Sequence, residues 1–284
     1  MESGYWAAGL AGANMTVKMI GLDIDGTLLD PRKRLTEPVR EALEYAAARG
    51  VYIVPATGRP YLGIPLELRE MDCIRYFISS NGASTWQGER LVMSRRFPAE
   101  LCLKLMGALD GLYSVGEVFV EGQGFVSRKS YVNGERLYGS SSFLKYFRET
   151  RRIAEDLEGL IREAGELEEL AVRCEKVEQC DRVLEVLKAF PEMKAARPTP
   201  VFLEIMWADA GKGNALEALG ASLGLSPEEI MAIGDSDNDR EMLMKAGIPV
   251  AMGNADEELK KLACYISADN SNHGVAQAIY EFIG

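Results

Sequence analysis

The sequence predicts an α/β protein: a Rossmann-like parallel sheet with helices on both faces, carrying an inserted α+β lobe. Three observations predict it. Short apolar runs alternate with amphipathic helical runs at both ends of the chain, the middle of the chain breaks that rhythm, and four polar clusters fall where the apolar runs stop. At 284 residues the chain is long enough for two lobes of ordinary domain size.

The first element is the run Val17-Lys18-Met19-Ile20-Gly21-Leu22, mostly apolar and ending in an acidic turn, as a buried parallel strand does. A helix follows. Thr36 can cap it, Pro38 stands in its first turn, Val39, Leu43, Ala46 and Ala47 recur at helical spacing, and Gly50 closes it. Val51-Tyr52-Ile53-Val54 is the second strand and completes a βαβ unit. Near the C-terminus the rhythm resumes: Leu216, Leu219 and Leu223 mark a helix, Ile230 to Ile233 a strand, and Met242, Leu243 and Ala246 a helix ended by Gly247. Between them, strand-like runs at Val115 to Glu121 and Gly124 to Ser127 precede long charged amphipathic helices from about Phe143 to Ala164. The expected division is therefore a core of residues 15–84 and 206–284 with a lobe of residues 85–205 inserted into it. The Gly- and Ala-rich opening, Met1 to Asn14, is expected to be a leader or disordered tail.

Composition narrows the function. Hydrophobic residues make up 47% and charged residues 26%, a globular balance. A net charge of −11 opposes binding to duplex nucleic acid. The short basic clusters Arg32-Lys33-Arg34 and Arg151-Arg152 read as solvated faces. Cys73, Cys102, Cys174, Cys180 and Cys264 are scattered, form no C-x-x-C pair and read as reduced thiols. No apolar run is long enough to span a bilayer, and the opening residues lack a basic n-region, so a cytoplasmic protein with neither membrane nor nucleic-acid partner is expected.

The four polar clusters are Asp23-Ile24-Asp25-Gly26-Thr27, Thr57-Gly58-Arg59, Lys212-Gly213-Asn214 and Gly234-Asp235-Ser236-Asp237-Asn238-Asp239. In an open parallel sheet the carboxyl ends of the strands form the edge where ligands bind, so distant clusters converge there. Crowded carboxylates need a cation, and an all-oxygen site with few protein ligands suits Mg²⁺. Lys212, the Thr57 hydroxyl and exposed backbone amides would complement an anion beside that metal. A cation, phosphate-binding groups and a free carboxylate together equip a site for phosphoryl transfer. Asp235, Asp237 and Asp239 alternate like the start of a calcium loop, but Arg240 and Ala246 stand where that loop needs Gly and Glu.

The ordered set Asp-x-Asp-Gly-Thr, Thr-Gly-Arg, Lys-Gly-x-Ala-Leu and Gly-Asp-x-x-Asn-Asp resembles the haloacid dehalogenase superfamily, specifically its Cof-type phosphatases with a large α+β cap. Further similarities are Ser79-Ser80-Asn81-Gly82, Phe202-Leu203-Glu204-Ile205, Ala251-Met252-Gly253-Asn254-Ala255 and Asn272-His273-Gly274-Val275, so the likeness runs from Met15 to Gly284. Trp207, Asp209 and His273 depart from the usual pattern, at the hinge and the mouth rather than in the catalytic set. The resemblance implies a Mg²⁺-dependent phosphatase acting on small phosphorylated metabolites such as sugar phosphates. In it Asp23 is the nucleophile and forms an aspartyl-phosphate, while Asp25 is the general acid and base, its pKa raised by neighbouring carboxylates. Asp23, the Asp25 carbonyl, Asp235 and Asp239 hold the metal. Thr57, Gly58, Arg59, Asn81, Lys212 and Asn238 hold phosphate or substrate, with Thr57 and Lys212 aimed at the transferring oxygens. The lobe would read the leaving group, with Arg128 and Lys129 as candidates. Two other activities fit the same motifs: a phosphomutase of the same superfamily, and a non-catalytic phospho-metabolite sensor, which would have no use for an acid/base carboxylate.

Overall fold

The computed structural model describes residues 16–139 and 141–283; the expected leader, Met1 to Asn14, lies outside them. Five short strands form one sheet: β1 (Met19–Leu22), β2 (Tyr52–Pro55), β3 (Ile230–Gly234), β4 (Ile248–Ala251) and β5 (Tyr265–Ile266). Their order across the sheet is β5-β4-β3-β1-β2, and every pairing is parallel. Parallel neighbours need crossovers. These involve α1 (Glu37–Ala48), α2 (Lys212–Ser222), α3 (Arg240–Lys245) and a closing helix, α4 (Gly274–Ile283).

Both faces of this sheet are dry, which is why its strands read as unbroken apolar runs. Ile20, Leu22, Ile53, Ile233 and Val250 pack with α1 and α4 on one face. Met19, Val54, Ile230, Ala232 and Ala251 pack with α2 and α3 on the other. The α1 N-terminus differs from expectation: Thr36 stands at the cap position, but its side chain makes no capping bond. Its hydroxyl lies 3.0 Å from Nδ1 of His273 instead, tying α1 to the turn before α4.

A strand at Tyr76–Ser79 touches β2 through bridges at Ile53–Ile74 and Ala56–Ile78, then turns into the antiparallel strands Ser84–Gln87 and Arg90–Ser94. A second sheet of six strands follows, in the order Met193–Thr199, Phe202–Trp207, Glu169–Arg173, Val115–Val120, Gln123–Ser127, Arg151–Ala154. Its strand Phe202–Trp207 continues beyond residue 205 and is the last element before α2 in the chain. Alternation sorts this sheet. Val118, Leu170, Val172, Leu203 and Ile205 pack in a cluster with residues of the helices Ala99–Ala108, Leu157–Ala164 and Val177–Leu187. The opposite face carries Glu117, Phe119, Glu169 and Glu204, and part of it looks onto the carboxyl edge of the parallel sheet.

The helices expected from about Phe143 to Ala164 are two, with an unexpected strand between them. Helix Ser142–Thr150 stops at strand Arg151–Ala154, which pairs in parallel with Gln123–Ser127, before helix Leu157–Ala164 begins. The same strand corrects the reading of Arg151 as solvated. Arg151 is buried, and its Nε donates to Oε2 of Glu117 at 2.5 Å, a tertiary pairing that overrides local helix propensity. No helix among the described residues is long and apolar enough to cross a membrane.

Glu168, wholly buried just before strand Glu169–Arg173, bolts the second sheet to the Ser80–Gly82 turn and the strand Ser84–Gln87. Its carboxylate accepts from the hydroxyls of Ser80 (3.0 Å) and Ser84 (2.9 Å), from Arg96 (2.9 Å) and from the Gly122 amide (3.0 Å). Beside this bolt the Ser80–Gly82 turn lies against the start of α2. Gly82 has φ +88°, and a Cβ there would meet the Gly211 carbonyl. Gly82→Ala therefore combines left-handed strain with a backbone clash, and an expected loss of about 3 kcal/mol follows. Chemical unfolding measures it; a loss below ~1 kcal/mol would show that the turn relaxes freely.

Candidate active site

Asp23 directly follows β1, Thr57 follows β2 by two residues, Asp235 follows β3, and Lys212 is the first residue of α2. Short parallel strands in register thus deliver all four clusters to one edge, as expected of such a sheet. Asp23, Asp25, Lys33, Thr57, Gly58, Arg59, Ser236 and Asn238 line a cavity of about 340 Å³ there.

The centre of the site is Lys212, whose side chain is 1% exposed. Its Nζ donates to Oδ1 of Asp23 at 2.5 Å and to Oδ1 of Asp239 at 2.7 Å. Burial disfavours the ammonium, but the two carboxylates outweigh it and hold Lys212 charged, above its ordinary pKa. Asp239 has its second oxygen committed as well, accepting from the backbone amides of Asp235 (3.0 Å) and Ser236 (3.1 Å). It therefore anchors the loop and the lysine. Burial pushes Asp23 well above the usual carboxylate range against the pull of Lys212, and the charges of Asp239, Asp235 and Asp25 push the same way. Asp235 rises to about 6 through burial and the Asp239 charge, although a 3.0 Å hydrogen bond from Thr27 partly offsets them.

Asp25 behaves oppositely, and here the expectation of a raised pKa is corrected. Arg59 grips it with a fork, Nε to Oδ2 at 2.6 Å and Nη2 to Oδ1 at 2.7 Å, and Lys33 Nζ adds a third contact at 2.7 Å. Burial works upward on Asp25, yet the hydrogen bonds and charges of Arg59 and Lys33 bring it down to about 2. Arg59 also lies over the Tyr146 ring, 4.6 Å from its centroid, so the loop after β2 touches the helix Ser142–Thr150.

The remaining expected residues divide. The Thr57 hydroxyl accepts from the Arg59 amide at 3.1 Å, and Asn238 Oδ1 accepts from Ser236 Oγ at 2.7 Å, both at the cavity wall. Asn81 stands just behind the cavity wall: its amide nitrogen donates to Glu169 (3.0 Å) and Glu204 (2.8 Å), two carboxylates of the second sheet, and its Oδ1 accepts from Asn238 Nδ2 at 3.5 Å. Arg128 and Lys129 do not line the cavity. They open a helix capped by Ser127, and exposed Arg128 pairs with Glu155. The lobe's lining is instead Phe119, Phe143, Tyr146, Arg151, Phe202 and Glu204. Two signals in the sequence bear on these: the likeness at Phe202-Leu203-Glu204-Ile205, and the period-two alternation of Val115–Val120 and Phe202–Trp207, which puts Phe119 and Glu204 on the face opposite the apolar one. Asn254 was also not singled out as a site residue; it donates to the Gly26 carbonyl at 2.9 Å and reaches Asp235 Oδ2 at 3.3 Å.

The donors fit a divalent cation. One oxygen each from Asp23, Asp235 and Asp239 lie within 4.8 Å of one another, against the single ammonium of Lys212. Asp23 Oδ2 is buried with no hydrogen-bond partner among the described residues. A buried carboxylate oxygen left so is costly unless a cation meets it, and an all-oxygen donor set suits Mg²⁺.

The haloacid dehalogenase-like hydrolase family profile matches residues 20–279. A candidate phosphatase of Streptococcus pyogenes is 31% identical over 280 residues, covering 95% of this chain and 99% of its own. The 5-amino-6-(5-phospho-D-ribitylamino)uracil phosphatase YcsE of Bacillus subtilis is 27% identical, with 95% and 97% covered. Among solved structures, the sugar phosphatase BT4131 of haloacid dehalogenase subclass IIB superposes with a TM-score of 0.79 at 29% identity, covering 94% of this chain and 99% of that one. The convergent carboxylates, the buried lysine and these likenesses agree: the chain belongs to the haloacid dehalogenase-like hydrolase family and is a phosphoric monoester hydrolase.

Proposed function

We propose that the protein hydrolyses small phosphomonoesters, sugar phosphates foremost, by passing the phosphoryl group to Asp23 and then to water, with Mg²⁺ as cofactor. The observation that carries this reading is Asp23 itself: one oxygen is held by Lys212, and the other is buried at the cavity without a protein partner. A nucleophilic carboxylate needs such an oxygen, oriented but not consumed by donors. Asp23 and Asp235 would hold the metal with Asp239 bracing them, and bound Mg²⁺ would neutralise charge on the phosphoryl oxygens. Lys212 and the Thr57 hydroxyl would receive those oxygens as their charge grows.

In the first step a bond forms between Asp23 and phosphorus while the bond to the leaving alcohol breaks. In the second, water attacks phosphorus and frees Asp23. Asp25 would give the alcohol its proton and take one back from the water. Gripped by Arg59 and Lys33, it rests as the carboxylate, the form suited to the second step. Donation in the first step requires that grip to loosen, and a phosphate dianion is a competitor able to draw both cations away. Residues 85–205 would serve as a cap over a core of 15–84 and 206–284, excluding water and reading the leaving group of a small metabolite inside the cell.

Asp23→Asn is expected to keep the fold, because Lys212 retains Asp239, and to abolish phosphate release. Turnover within ~10-fold of wild type would overturn Asp23 as nucleophile. Chelation should remove activity and Mg²⁺ restore it, while Ca²⁺, with its looser coordination, should inhibit. Independently of turnover, Mg²⁺ should raise the thermal midpoint of the chelated protein by mass action. Asp25→Asn should slow sugar phosphates far more than an activated aryl phosphate, whose leaving group needs little protonation. Equal losses on both substrate types would remove Asp25 from the general-acid role.

A further inference from the structure

The cap side of the cavity is mostly aromatic. Phe119, Phe143, Tyr146 and Phe202 wall it, with Glu204 and Arg151 as its charged groups. Arg151 is committed, donating to Glu117 at 2.5 Å and to the Thr150 hydroxyl at 2.8 Å. Glu204 is only half committed. Its Oε2 accepts from Asn81, while its Oε1 lies so close to the catalytic edge that a Cβ on Gly58 would be 3.0 Å away. No side-chain donor among the described residues bonds that second oxygen. A carboxylate thus stands beside the Thr57 loop, at the aromatic end of the cavity.

We propose that Glu204 reads the leaving group, accepting a hydrogen bond from a hydroxyl or amino group of a sugar whose apolar face lies on the aromatic wall, and that it excludes sugars bearing a second anionic group. The inference rests on the phosphomonoester reading above. Glu204 must carry charge for this. Asn81 bridges it to Glu169, and two carboxylates around one amide hold a proton between them rather than both ionising. The proton belongs on Glu169, which is wholly buried and whose Oε1 has no partner; its burial, reinforced by the Glu204 charge, pushes it well above the usual range. Burial raises Glu204 above the usual carboxylate range as well, but the Asn81 hydrogen bond and the charges of Lys212 and Arg151 partly offset it, and its opening to the cavity makes it the member of the pair that ionises first. A carboxylate or phosphate on the leaving group would meet that charge in a partly desolvated pocket, where like-charge juxtaposition is most costly.

The test uses the full chain with Mg²⁺ and three pyranoses of one ring skeleton: glucosamine 1-phosphate, glucose 1-phosphate and glucuronate 1-phosphate. Wild-type kcat/KM should fall in that order, by at least ~10-fold from first to last. Glu204→Gln, which keeps the Asn81 hydrogen bond, should compress this span to within ~3-fold, and Glu204→Asp should retain the order. A Glu204 that only braces the hinge would lower all three rates together and leave the span intact, which would overturn the proposal. Equal wild-type rates would overturn it without any variant and would leave the hydrolase reading standing. Absence of phosphate release from all three sugars and from an aryl phosphate would instead remove the reading on which it rests.

Discussion

The site depends on one buried charge. Lys212 enters the interior at the first turn of α2 with its ammonium cut off from water, and an ammonium there is tolerable only with partners in place. Those partners, Asp23 and Asp239, come from the ends of β1 and of the loop after β3, so a single cation fixes the relative position of three segments far apart in sequence. Removing the lysine from such a buried cluster typically costs about 3–5 kcal/mol, because both carboxylates are then left uncompensated. The cluster is also incomplete: Asp23 Oδ2 is buried without a partner among the described residues, and Asp23, Asp235 and Asp239 bring three carboxylates within 4.8 Å of one another around a single ammonium. Structural need and chemical readiness are thus the same feature.

A second charge pairing has the opposite character. Asp25 and Arg59 lie on neighbouring strand-end loops, partly open to solvent, and Arg59 also rests on Tyr146 of the inserted lobe. Asp25 is held as the anion by its neighbours while Asp23, a few ångströms of chain away, is pushed toward the neutral form by burial. Two carboxylates of one motif, separated by a single residue, acquire contrasting proton affinities because alternation in the turn gives them different surroundings. The lobe takes part in this through Tyr146, and through the carboxylates Glu169 and Glu204 that receive Asn81 from the core side. The contact between the two parts of the chain and the cavity therefore share a polar group, Glu204.

The sequence by itself determined the parallel sheet, its crossovers and the catalytic edge. Those features are local: apolar runs of strand length, helices with a Pro start and a Gly end, and polar turns directly after strands, where Asp23, Thr57, Lys212 and Asp235 had to converge once the strands were parallel. Tertiary structure decided what depends on partners remote in sequence. Glu117 turns Arg151 from an apparent surface charge into a buried one and makes a strand where helical pattern alone ran on. His273 takes the Thr36 hydroxyl that would otherwise cap α1. Arg59 and Lys33 reverse the proton affinity of Asp25, and the lobe's lining belongs to Phe119, Phe202 and Glu204 rather than to Arg128 and Lys129. Periodicity reveals which face a residue takes, but not what stands opposite that face; burial and charge pairing are set there, by segments that only the folded chain brings together.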